Sequence, residues 1–283
     1  MPGPPATASL QGRLPPLVAV AHGSRDPRAS ATVEALLGEV RLARPGIPVH
    51  AAYLDHSRPS LGDALAGLDE AVVLPLLLTE AYHSRVDIPS ALREARASRP
   101  RLRVHQGATL GPHPLLITAL ERRLAEAGVE IGDPDTAVVL VSAGSSDHRA
   151  NAVIAAMARE WALSRGWHSI SAAYASAASP TPEEAVLKLL DDHPAPGPAR
   201  AGTVKPGAGG SGRTPRPARV VVAPYLLASG HFADKVRRDT LEAGASAVAD
   251  PLGPAPELVT ILLERYAEGV RASRAGTCAP ARA

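Results

Sequence analysis

Cysteine, aromatic residues and net charge are all scarce in this 283-residue chain, and each scarcity excludes a class of protein. The single cysteine, Cys278, cannot close an internal disulfide or build a cysteine-rich metal centre, and it fits a reducing compartment. Aromatics make up only 3% of the chain, so its cores must be built from Val, Leu and Ala. The 30 basic and 28 acidic side chains nearly cancel and are interspersed, which leaves no basic block for nucleic acid and no cationic anchor for a membrane. Long apolar runs are missing too. The longest, Ala71 to Leu78, falls far short of the ~20 residues of a spanning helix. Prolines also interrupt Met1 to Pro16, where a signal peptide would carry its apolar stretch. A cytoplasmic protein is the expectation. The length allows two ordinary domains, with one large α/β domain as the competing count.

What is present is an alternation of short β-branched runs with longer helical patterns, which predicts βαβ units around parallel sheets. Strands are expected at Leu17–Ala21, Val49–Leu54, Val72–Leu78 and Leu102–Gln106, then at Ala137–Ser142, Ser169–Tyr174, Val220–Leu226 and Ala247–Ala249. Helices are expected at Ala29–Ala43, Ser60–Ala66, Ile88–Ala97 and Pro114–Ala127, then at Arg149–Ser164, Pro182–Asp191, Phe232–Ala243 and Pro256–Gly269.

The second half repeats the first. AHGSRDPRA at Ala21 matches SAGSSDHRA at Ser142, and HAAYLDHSRPS at His50 matches SAAYASAASPT at Ser171, both at an offset of 121. VVLPLLLTEAYH from Val72 is aligned with VVVAPYLLASGH from Val220 at 148, and TLGPHPLLITALERRL from Thr109 with PLGPAPELVTILLERY from Pro251 at 142. The Pro- and Gly-rich stretch from His193 to Arg219 has the length and composition to supply the jump, and reads as a disordered insertion. The expected organisation is a tail (1–16), an N-terminal domain (17–130), a degenerate repeat (131–270) carrying the linker 193–219, and a second tail (271–283). The two βαβα domains, each with a parallel sheet, should face each other across a cleft.

Ligands of open parallel sheets bind beyond the carboxyl ends of the strands, so residues just after each strand are the candidates. His22 follows the first strand inside HGSR, where Gly23 lets the backbone turn and leaves the imidazole uncovered; a core histidine bonded to a backbone carbonyl is the competing reading. His83 follows the third strand in TEAYHSRVDIP, with an exposed loop histidine as the alternative. Asp55 ends the second strand in AYLDHSRP, and could instead cap the next helix. Three such side chains on neighbouring strand ends suit a divalent metal. The repeat acts as an internal control: the positions matching His22 and Asp55 are Ala143 and Ser176, and His231 alone is matched with His83. Tyr53/Tyr174, Pro59/Pro180 and Gly111/Gly253 persist in both halves, which separates scaffold from chemistry. His56 adjoins Asp55 and is given no role.

Taken in order, LVAVAHGSRDPRA, AAYLDHSRPSLGDAL, VVLPLLLTEAYHSRVDIP and TLGPHPLL resemble the sirohydrochlorin chelatases of the cobalt- and iron-inserting type, in their tandem-domain, class II chelatase-like form. The resemblance implies that His22 and His83 are the metal-inserting pair, assisted by Asp55 where the family carries a longer glutamate. It implies a divalent metal substrate, Fe²⁺ or Co²⁺ with Ni²⁺ as a further fit, sirohydrochlorin as the other substrate, and no permanently bound cofactor. Neutral imidazoles can both ligate such ions and accept the pyrrole protons. Rim carboxylates call for forked guanidinium partners, for which Arg25 and Arg85 are candidates beside Ser24 and His231, with Lys235 and Arg237 as further ones. A monomer is expected, because fusing two repeats supplies the interface that a single repeat would obtain by dimerising. Two rival readings are a metal or tetrapyrrole carrier and a phosphoryl-transfer enzyme. The latter lacks the several glycines and the lysine of a phosphate loop.

Overall fold

The computed structural model describes residues 14–80, 86–191 and 217–277. Its elements run β1 (Leu17–Ala21), α1 (Pro27–Ala43), β2 (Val49–Tyr53), α2 (Leu61–Leu65), β3 (Glu70–Pro75), α3 (Ile88–Ser98), β4 (Arg103–Gln106) and α4 (Pro114–Glu126). The second series is β5 (Thr136–Ser142), α5 (His148–Ser164), β6 (Ser169–Tyr174), α6 (Pro182–Asp191), β7 (Arg219–Tyr225), α7 (His231–Glu242), β8 (Ala247–Val248) and α8 (Pro256–Thr277). All sixteen expected elements are present. They form two four-stranded parallel sheets, ordered β2-β1-β3-β4 and β6-β5-β7-β8.

The same local chemistry starts the helices in both halves. Asp26 caps α1 ahead of Pro27, and Asp147 caps α5. Ser60 and Asp63 form a reciprocal capping box on α2, while Thr181 and Glu184 exchange the same two bonds at α6. Ser60, not Asp55, is therefore the cap of α2.

Alternate residues of each strand face opposite ways, and this divides the core. Leu17 and Ala19 of β1, Val72 and Leu74 of β3, Val138 and Leu140 of β5, and Val221 and Ala223 of β7 all face one shared core. Between the sheets, α1, α4, α5 and α8 contribute Leu36, Leu116, Leu120, Ile154, Trp161, Leu258 and Leu262 to it. The outer faces are covered separately, the first by Ile88 and Leu92 with Leu61 and Leu65, the second by Val186 and Val236. Each fully buried Leu or Val contributes roughly 1.5–3 kcal/mol.

The last helix of each half crosses to the other. α4 packs on β7, and α8 packs on β3 and β4. Tyr266 of α8 donates to the carbonyl of Pro15 (2.7 Å), and Glu121 of α4 accepts from Trp161 of α5 and from Arg165, the residue that ends it (2.8–3.0 Å). The expected boundary at residue 270 falls inside α8, which continues to Thr277. Residues 193–216 of the expected linker lie outside the described residues, and β7 has already begun at Arg219.

Pairing also corrects the repeat. Leu17 pairs with Val72, whereas its counterpart Val138 pairs with Val221. The third strands therefore correspond at an offset of 149, with Pro75 opposite Pro224. The expected match of His231 with His83 lies outside the described residues of the first half. The runs of valine at both strands had concealed the one-residue slip.

Candidate functional site

β1 lies between β2 and β3, so the chain leaves it towards one side and returns on the other; the carboxyl end of β1 is the switch point of the sheet. His22 stands there, exposed. The loop beneath it is tightly specified. Asp55 N–H donates to the His22 carbonyl (2.9 Å), and Leu54 N–H to that of Ala21 (3.1 Å). Gly23 has φ 93°, and a Cβ on it would lie 1.7 Å from the Asp55 carbonyl oxygen, so only glycine lets the two loops meet. Gly144 repeats this in the second lobe, with φ 83° and 1.9 Å to the Ser176 carbonyl oxygen.

Two cavities meet at His22. The larger, about 460 Å³, lies between the strand ends of the two sheets. His22, Leu76, Leu77, Leu78 and Thr79 line it from the first lobe, and residues 142–146 and 225–227 from the second. The phenol of Tyr225 donates to the Leu78 carbonyl (2.9 Å) across this wall, and burial pushes its pKa above the usual value of 10.0. The smaller cavity, about 340 Å³, is lined by His22, Leu54, Asp55, Asp87, Ser90, Ala91 and Glu94. His22 thus lines both a mostly apolar chamber and one with three carboxylates, whose negative charge attracts a cation.

The lobes are also tied at the mouth. Arg28, at the start of α1, grips both Asp26 and Asp234 of α7 at 2.6 Å. Hydrogen bonding to this guanidinium holds both carboxyls below the usual carboxylate value and raises the arginine.

The expected site residues fare differently. His83 and Arg85 lie outside the described residues. Asp55 reaches the His22 loop, but its side chain turns to its neighbour: Oδ1 accepts from His56 N–H (2.7 Å), and Oδ2 lies 3.3 Å from His56 Nε2. His56 is thus the partner of Asp55, and its adjacency was the available signal. Its φ of 58° recurs at Ala177 (56°), so the strained turn belongs to the scaffold. Ser24 is absorbed into the loop, accepting from Asp26 N–H and donating its own N–H to Ser57 Oγ. Arg25, Ser24 and His231 are outside the lining of both cavities. Lys235 and Arg237 are engaged by Asp239 and Asp250. Among the described residues, no three His, Cys, Asp or Glu side chains stand close enough to hold one ion together.

Asp87 and Glu94, which line the smaller cavity, were not among the expected site residues. Their signal was present: Asp87, Ser90, Ala91 and Glu94 recur at the spacing of one helix face. No described helix is long and apolar enough to cross a membrane.

Comparison with known proteins agrees with this fold. The sequence profile of the CbiX family matches residues 16–127 and 137–195. The chain is 27% identical over 267 residues to the sirohydrochlorin cobaltochelatase of Priestia megaterium, covering 89% of this chain and 78% of that one. It is 29% identical over 134 residues to the sirohydrochlorin ferrochelatase of Bacillus subtilis, covering 45% of this chain and 50% of the relative. The fold is shared with SirB from Bacillus subtilis with Fe³⁺, at a TM-score of 0.73 and 21% identity over 93% of this chain and 98% of that one.

Proposed function

This chain belongs to the CbiX family, and from that premise we propose that it is a sirohydrochlorin chelatase, a lyase-class enzyme that inserts Fe²⁺ or Co²⁺ into the macrocycle. The reaction exchanges two pyrrole N–H protons for one divalent ion, so the site must bind the flat substrate, deliver a metal and accept protons. The observation that carries the reading is the place of His22 on the wall shared by the two cavities. The inter-lobe cavity takes the macrocycle against Leu76, Leu77 and Leu78. The carboxylates of Asp55, Asp87 and Glu94 gather the cation on the other side. His22 passes between them as a borderline nitrogen ligand or as a proton acceptor, two tasks that a neutral imidazole can perform near pH 7. His83 is the second imidazole of this reading, and Arg25 and Arg85 are its rim contacts. The protein works as a cytoplasmic monomer.

The test is anaerobic mixing of the purified protein with excess sirohydrochlorin and either Fe²⁺ or Co²⁺, followed by visible absorbance. Many macrocycles metallated per chain are expected, with kcat/KM at least ~100-fold lower in His22→Ala, the loss typical of an acid–base group. A spectral change that stops at one macrocycle per chain, or a variant within about threefold of the parent, overturns the reading.

A further inference from the structure

The inter-lobe cavity contains a polar group that the chemistry above leaves unused. Ser142 ends β5, is only 6% exposed, and lines the same cavity as His22. Strand alternation sets its aim: Val138 and Leu140 face the shared core, so Ser142, two residues further on, faces the side where that core opens into the cavity. Its hydroxyl makes no hydrogen bond to another described residue, and it is open to the cavity rather than sealed in the core. The phenols beside it in the sheet are already committed. Tyr174 donates to the Asn151 carbonyl (3.0 Å) and Tyr225 to that of Leu78 (2.9 Å). The loop that follows is held rigid by Asn151, whose amide takes both the N–H (3.0 Å) and the carbonyl (2.7 Å) of Ser145.

The other lobe shows that the fold does not require this hydroxyl. The matching position at the end of β1 is Ala21, also 6% exposed, where a methyl group suffices. The hydroxyl therefore opens onto the cavity without serving a contact inside the protein, and a ligand that displaces water from it must supply an acceptor or leave it unpaired.

Resting on the chelatase reading, we propose that Ser142 positions the macrocycle by donating its hydroxyl proton to a carboxylate on the rim of sirohydrochlorin. The lobe that lacks the HGS histidine thereby holds the substrate while the other lobe metallates it. Macrocycles with an apolar rim leave the hydroxyl unpaired and are discriminated against.

The experiment compares the full chain with Ser142→Ala and Ser142→Thr, using sirohydrochlorin and its rim methyl ester. Binding of each metal-free macrocycle is read by fluorescence titration, and turnover by absorbance. Ser142→Ala is expected to weaken sirohydrochlorin binding and raise its KM about tenfold, with kcat and the KM for metal unchanged. Ser142→Thr, which keeps a hydroxyl, should recover most of that loss, and the alanine effect should shrink to about threefold with the ester, whose carbonyl is a neutral and weaker acceptor. A Ser142→Ala Kd within about twofold of the parent, or an equal loss with acid and ester, overturns the proposal. Because binding is measured without metal, parent protein that binds sirohydrochlorin but never turns it over sinks the chelatase reading while Ser142 is still judged by its Kd. Parent protein that binds no sirohydrochlorin sinks both.

Discussion

Replacing Gly23 with alanine tests whether the turn under His22 positions the chemistry or merely joins two elements. At φ 93° a side chain costs roughly 1–3 kcal/mol in backbone strain alone. The new methyl group would also have to retreat from 1.7 Å to at least 3.0 Å from the Asp55 carbonyl oxygen. That displacement pulls apart the 2.9 Å bond between Asp55 N–H and the His22 carbonyl, which sets the spacing of the two loops. A total stability loss of about 2–4 kcal/mol is expected. A misplacement on the order of 1 Å can lower the rate about 100-fold. Gly144→Ala is the matched control: its φ is 83° and its Cβ would lie 1.9 Å from the Ser176 carbonyl oxygen, but its loop carries no imidazole. Urea titration should show similar losses for the two variants. Metallation assays on the folded proteins should show kcat falling about 100-fold for Gly23→Ala and by no more than about threefold for Gly144→Ala. Equal kcat values in the two variants would refute the reasoning, because they would make the turn a structural element in both lobes alike.

Two further outcomes concern the contacts between the halves. Tyr225 has its pKa raised by burial, so the stability it contributes is fully present below about pH 10, the value of the unfolded phenol, and is lost as pH rises towards the higher folded value. Tyr225→Phe should cost about 1–2 kcal/mol near pH 7 by stranding the Leu78 carbonyl, and should make the alkaline decline of stability shallower, as read by urea titrations from pH 7 to 11; an unchanged alkaline limb would count against it. Glu121→Ala strands the fully buried Trp161 N–H and releases Arg165, which is half exposed and adds little, for an expected loss of about 2–3 kcal/mol in the same titration. A loss confined to one of two resolved transitions would show that α4 does not bind the two halves into one cooperative unit.

The elements, the duplication and the position of His22 were all legible in the amino-acid sequence because they rest on local rules. Strand and helix periods, the caps at Asp26, Asp147 and Ser60, and the glycine after a strand-end histidine each involve residues within a few positions of one another. The repeat supplied a second copy in which Ala143 and Ser176 stand where the first half has His22 and Asp55, so the fold itself does not require those two side chains.

What required the tertiary structure depends on contacts between residues far apart in the chain. A one-residue slip between Val72–Pro75 and Val221–Pro224 is invisible where both runs are apolar, and only the pairing of Leu17 with Val72 and of Val138 with Val221 exposes it. The exchange of α4 and α8 is equally hidden, since an amphipathic helix states that it has an apolar face but not which sheet will cover it. The same holds for the acidic wall of Asp55, Asp87 and Glu94 and for the cavity-lining hydroxyl of Ser142. Each is an ordinary polar residue in its own segment, and becomes part of a site only when packing brings two or more strand ends together around one space.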